Sequence, residues 1–142
     1  MKKFIAAVLL IGFAISATAQ DKPVQFAYNA VRTNDTTVLF KAKAIMGKGF
    51  QIFSANKKSA EDAFVTTIEF DTPLNKYRRT TDSVTESGTM QVTTGELSFR
   101  SFSDSVEFAL PLHISVADSI VSVKGNIAWL GKKGDEFPSG TD

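Results

Sequence analysis

The chain has 142 residues, 43% hydrophobic and 22% charged, with a formal net charge of +1. This is one domain's worth of chain, apolar enough for a real core, and too balanced in charge to be disordered or to gather nucleic acid through a basic field. It contains no cysteine and one histidine, which excludes thiol redox chemistry by this chain and leaves a zinc site short of ligands.

The N-terminus reads as an export signal. Lys2 and Lys3 precede an apolar run at 4–15, and Ala17-Thr18-Ala19 fits an A-x-A cleavage site. The run is shorter than the roughly 20 residues that cross a bilayer. The expectation is therefore a signal peptide at 1–19, a mature domain at 20–142, no membrane span after cleavage, and a periplasmic or secreted bacterial protein. No cysteine follows the signal to carry a lipid. Loss of Lys2 and Lys3 removes two positive charges and takes the net charge from +1 to −1.

In the mature part, Val24, Phe26, Tyr28 and Ala30 alternate with Gln25, Ala27 and Asn29, the period of two of a strand. Thr33, Asn34 and Asp35 supply a turn. A second strand is predicted at 37–46, with Val38, Phe40, Ala42 and Ala44 on one face and Lys41 and Lys43 on the other. Gly47-Lys48-Gly49 breaks it, Phe50, Ile52 and Phe53 follow at once, and 54–62 reads as a polar loop. Residues 63–70 resume the alternation with Phe64, Thr66, Ile68 and Phe70 inward, and Asp71-Thr72-Pro73 ends it. The polar stretch 74–88 is long for an unstructured loop, so a weak strand is expected at 77–80. Met90 and Val92, then Leu97 and Phe99, predict two short strands about Thr94-Gly95-Glu96, and Ser103-Asp104 reads as a turn.

The most regular stretch follows. Val106, Phe108, Leu110, Leu112, Ile114 and Val116 alternate with more polar residues. After Ala117-Asp118-Ser119, a second run puts Val121, Val123, Ile127 and Trp129 on one face with Gly125. Two such runs about a turn predict a central hairpin. Its apolar face needs a second sheet over it, and the fold expected is an all-β, immunoglobulin-like antiparallel β-sandwich.

Few residues offer chemistry. His113 is the lone candidate for a Ser-His-Asp site, but it lies on the polar phase of its strand and reads as a solvated sheet residue. The acidic pairs Glu61-Asp62 and Asp135-Glu136 lack the alternating spacing of a calcium loop. Lys41, Lys43, Lys48, Lys57 and Lys58 suit a solvated outer face better than an anion site, and the phase of Trp129 with Ile127 places it in the core.

Two stretches carry a resemblance. Ile45-Met46-Gly47-Lys48-Gly49-Phe50-Gln51-Ile52-Phe53-Ser54 resembles the G-W-H-I-Y-S segment after the second strand in the N-terminal periplasmic domain family of the thiol:disulfide interchange protein DsbD. Residues 64–70 resemble that family's next strand, and Val123-Lys124-Gly125-Asn126-Ile127-Ala128-Trp129-Leu130 is similar to the strand leading into its reactive segment. The likeness covers about residues 24–139, through motifs that are each loose. It implies an immunoglobulin-like sandwich that passes electrons to periplasmic partners by thiol–disulfide exchange. Carried over by position, the two reactive cysteines fall on Gly131 and Glu136, neither of which forms a thiolate, and only Pro138 remains of the trailing prolines. The resemblance implies a further strand beyond the position of Asp142, so the expectation is a last edge that is either missing or supplied by a partner.

The reading is an exported, non-catalytic protein-interaction module on that scaffold, with no cofactor and no metal. Its candidate binding surface is the 131–139 loop, comprising Gly131, Lys132, Lys133, Asp135, Glu136, Phe137 and Pro138, with Gly49, Phe50 and Phe53 of the neighbouring 47–54 loop. The expected partner is a periplasmic or envelope protein, with no role for nucleic acid. The alternatives are a carboxylate-based enzyme or small-ligand carrier, or an unrelated all-β envelope or adhesion domain.

Overall fold

The period-two stretches form strands, and every strand pair is antiparallel. A computed structural model of the chain describes residues 22–57, 64–71, 77–79, 82–95, 98–115 and 124–142. The strands are β1 (Val24–Asn34), β2 (Thr37–Met46), β3 (Phe50–Phe53), β4 (Thr67–Phe70), β5 (Thr85–Thr93), β6 (Phe99–His113), β7 (Gly125–Lys133) and β8 (Ser139–Thr141). They run β1-β2-β6-β3-β7-β4 across the sheet, with β5 on β6 and β8 on β7. The sheet curls until its ends meet. Phe40 of β2 touches Phe70 of β4 edge to face at 5.2 Å, although those strands lie far apart in the strand order. The fold is thus all-β, antiparallel and sandwich-like.

The core lies between β2 and β6 on one side and β3, β4 and β7 on the other. Cross-strand partners share a face, and the register sets Phe40 beside Leu110, Ala42 beside Phe108, and Ala44 beside Val106. Small residues on β2 thereby make room for large ones on β6, and all of these are buried. Burying one such Phe or Leu stabilises by roughly 1.5–3 kcal/mol. The half-exposed Lys41–Glu107 ion pair on the opposite face, at 2.9 Å, contributes about 0–1 kcal/mol. Apolar burial therefore decides the register.

β6 is too long to stay in one layer. Phe102 and Phe108 are six positions apart, roughly 20 Å along a straight strand, yet their ring centroids are 6.5 Å apart. The strand must bend between them, and Asp104 with φ 63 marks the place. Asp is among the few non-glycine residues that visit this region readily. The neighbours bend on the same line. The β5–β6 register shifts between Gly88 and Met90, and β2 hands over to β3 across 47–49, where Gly49 has φ 76. A Cβ on Gly88 would lie 2.8 Å from the Ser105 carbonyl oxygen, so the crease closes only around a bare backbone there.

Three expectations are corrected by this arrangement. The runs at 106–116 and 121–129 are not a hairpin, because β3 lies between β6 and β7 and pairs with both. Ser103-Asp104 is not a turn between strands but the bend inside β6. Tyr77–Arg79 is not strand, while 85–88, read as loop, is the start of β5, held by Phe108 and its neighbours across the ladder. The signal at 1–19, the turn at 117–119, and Thr80, Leu97, Val116, Val121 and Val123 lie outside the described residues.

Gly88→Ala is expected to lower the unfolding free energy by about 1–3 kcal/mol in urea titration, because backbone must move to admit the methyl group. Gly47→Ala, whose Cβ would meet only the Pro23 oxygen at 3.8 Å, should stay within about 0.5 kcal/mol of wild type. Equal losses at both sites would show that space at the crease is not limiting.

Candidate functional site

The two segments that the sequence offered as a binding surface lie side by side. Phe50 pairs with Lys133, Gln51 with Lys132, and Ile52 with Gly131. The 131–139 segment is not a loop, however. Gly131, Lys132 and Lys133 end β7, Gly134 and Asp135 form a two-residue turn, and the chain returns through Glu136, Phe137 and Pro138 into β8. Lys133 N–H donates to the Glu136 carbonyl at 3.0 Å and Glu136 N–H to the Lys133 carbonyl at 3.1 Å. Gly134 at φ 60 occupies the position where a type II′ hairpin turn takes glycine.

The register divides these residues between two faces. Phe50 and Ile52 turn into the main core, Phe50 edge to face with Trp129 at 5.7 Å. Phe50 is therefore not a surface residue. Gly131 is buried as well, and a Cβ there would lie 2.4 Å from the Gln51 oxygen and 2.7 Å from the Phe50 ring. No side chain fits at 131 unless β3 moves, and a cysteine would not.

Phe53 turns to the opposite, outer face, where a second aromatic cluster has formed. Its ring lies 4.9 Å from Phe99, 5.4 Å from Phe64 and 6.3 Å from Phe137. Phe64 in turn lies 5.5 Å from Phe137 and 5.7 Å from Phe99. Lys132 holds its ammonium 5.5 Å above the Phe99 ring, within cation–π range. Phe53 and Phe99 are buried, whereas Phe137 is 43% exposed. A hollow of about 220 Å³ opens beside the cluster, between Phe64, Phe99 and Val92, with Ser54, Asn56 and Arg100 as its polar wall.

That wall is strapped in place. Ser54 Oγ donates to Glu86 Oε2 at 2.8 Å and Ala55 N–H to Glu86 Oε1 at 2.6 Å. Asn56 Nδ2 donates to the Val84 carbonyl at 2.6 Å, and Arg100 donates to the Asn56 carbonyl. On the same outer face Ser101 Oγ donates to Gln51 Oε1, and Gln51 Nε2 to Gln91 Oε1, both at 2.8 Å. The cluster thus sits on a braced platform. Asp135 and Glu136 stand exposed on the turn and line neither the hollow nor the larger cleft.

The larger cleft, about 320 Å³, lies where the curled ends meet, between Tyr28 and Phe40 on one side and Ile68, Phe70 and Ile127 on the other. Tyr28 is half exposed over its ring, but its hydroxyl donates to Asp142 Oδ2 at 2.5 Å. Desolvation of that hydroxyl, then the bond to Asp142 and its charge, hold the phenol above its usual 10.0. No local pattern could have revealed this contact, since its partners are 114 positions apart.

His113 is paired rather than merely solvated. Its Nε2 lies 3.1 Å from Asp82 Oδ2, and its N–H donates to the Tyr77 carbonyl. Asp82 Oδ2 also accepts the Arg79 N–H at 3.0 Å. That backbone bond first, and His113 second, hold the Asp82 carboxyl below its usual 3.8. Among the described residues, no three His, Asp or Glu side chains converge as metal ligands.

A depressed carboxyl gives stability that is complete above the unfolded value and lost as pH falls through the folded one. Stability is therefore expected to drop below about pH 3.8, and Asp82→Asn should flatten that part of a thermal-melt profile. An unaltered acid limb would remove Asp82 from the account. Comparison with known proteins returns no relative: no protein-family model, no curated protein and no solved structure matches this chain.

Proposed function

We propose that the chain is an exported, non-catalytic protein-interaction module on the scaffold of the DsbD N-terminal domain, binding a periplasmic or envelope protein at the outer aromatic cluster. One observation carries this reading: Phe137 is a large aromatic side chain left half exposed on an aromatic platform whose members Phe64 and Phe99 line a hollow, with the Lys132 ammonium over the Phe99 ring. Aromatic anchors on pre-organised surfaces next to pockets are where binding energy concentrates at protein interfaces. With no cysteine in the chain, thiol exchange has no nucleophile. What the scaffold retains is a shaped surface.

The test is capture from periplasmic extract by the purified domain, with a variant carrying Lys132→Ser, Lys133→Ser, Asp135→Ser and Phe137→Ser. The expected result is a partner held by the wild type and lost by the variant. Phe137→Ala alone should weaken that partner at least about tenfold, as an interface anchor does, while lowering unfolding stability by less than about 2 kcal/mol. A partner retained equally by all three proteins would overturn the reading.

A small-ligand carrier is favoured by a different observation, the aromatic cleft at Tyr28, whose volume falls at the low end of small-molecule sites. Thermal-shift screening with small aromatic compounds separates the two. A compound that raises the melting temperature of the wild type but not of Tyr28→Ala would favour the carrier, and no shift with any compound would remove it.

A further inference from the structure

β5 pairs with β6 along one edge, and among the described residues nothing pairs with the other. The direction of its backbone groups follows from the ladder. His113 N–H turns to Tyr77 and Ile114 N–H turns to Thr36 beside β2, so odd-numbered residues of β6 face β5 in that half. Ser54 N–H takes the Arg100 carbonyl on the β3 side, so odd-numbered residues face β5 in the other half as well. Opposed residues in an antiparallel pair exchange both hydrogen bonds or neither. Thr85, Ser87, Gln91 and Thr93 therefore bond to β6, while the backbone groups of Glu86, Gly88, Met90 and Val92 point out of the sheet edge.

Exposed edges of this kind are ordinarily blunted by lysine, proline or outward charge. β5 has none of these. Its one charge, Glu86, is occupied by Ser54 and Ala55. Val92 is 62% exposed and Met90 43%, and the other outer positions are Thr, Ser and Gln. Among the described residues, the one protection is the crease at 88–90. The half beyond the crease is left unpaired by any described residue.

We propose that this open half of β5 pairs with the same edge of a second copy of the chain, forming an antiparallel two-fold dimer centred on Val92. The strand's own sequence argues for a second copy as the occupant, because antiparallel pairing about Val92 is self-complementary. In that register Val92 faces Val92 of the second copy and Met90 faces its Thr94, so no like charges oppose each other and the facing pairs are apolar or β-branched. A net charge of +1 for the full sequence, or −1 without Lys2 and Lys3, puts little long-range repulsion between two copies. The dimer joins the β7-β3-β6-β5 ladder of one copy to that of the second and sets the two hollows beside Val92 next to each other.

Sedimentation equilibrium of the purified protein across a wide concentration range tests this. The wild type should show a reversible monomer–dimer equilibrium. Val92→Pro removes an outward N–H that β6 does not use, and Val92→Lys places like charges across the axis. Each should weaken dimerisation at least tenfold with circular dichroism unchanged. If the proline variant fails to fold, the lysine variant decides. A wild type that stays monomeric throughout, or a dimer of equal strength in Val92→Lys, would overturn the proposal.

Discussion

Phe102 packs against Phe108 across the inside of a bend in the strand that carries both, and the rest of the fold is arranged around that contact. Two large rings on one face of a straight strand could not meet. To bring them together β6 takes a left-handed residue at Asp104, β5 gives up its side chain at Gly88, and β2 breaks at 47–49 so that β3 can continue along the second half of β6. Three adjacent strands crease on one line, and a single sheet supplies both layers of a sandwich.

The crease also separates two hydrophobic clusters. On the concave side, β2, β6, β4 and β7 bury the main core around Phe108, Leu110, Ile127 and Trp129. On the convex side, the short β3 between β6 and β7 carries Phe53, which gathers Phe64, Phe99 and Phe137 around it. A four-residue strand flanked on both edges is held rigidly by its neighbours, so the outer cluster has a firm base although it is small. Its most exposed member sits on a tight hairpin whose turn is closed by reciprocal backbone bonds. Rigidity of this kind lowers the entropy lost when a partner docks.

Much of the strand pattern was legible locally. β1, β2 and the inner face of β6 follow from simple alternation, and the breaks at 47–49 and near 34–36 follow from glycine, asparagine and aspartate. The candidate surface was legible in part. That 47–54 and 131–139 are neighbours is a matter of strand pairing, which no local pattern carries, and Phe50 and Gly131 proved to be core. The outer cluster had one local signal, the adjacent buried pair Ile52 and Phe53, which requires both faces of β3 to be covered. Phe64 gave no such sign, because its phase with Ile68 and Phe70 pointed to the main core and the change of face occurs before β4 begins.

Side-chain alternation is a property of the extended backbone itself, so the chain's own order of residues determined where strands run, which faces are apolar and that no thiol chemistry is open to it. Pairing is not local. Whether the apolar run of β6 joins the next run as a hairpin or admits β3 between them depends on contacts across 48 to 83 positions, and two alternating strands satisfy either arrangement equally well in one dimension. The bend at Asp104, the Tyr28–Asp142 contact and the outer aromatic platform were decided only in three dimensions, where burying Phe102 against Phe108 outweighs keeping β6 straight.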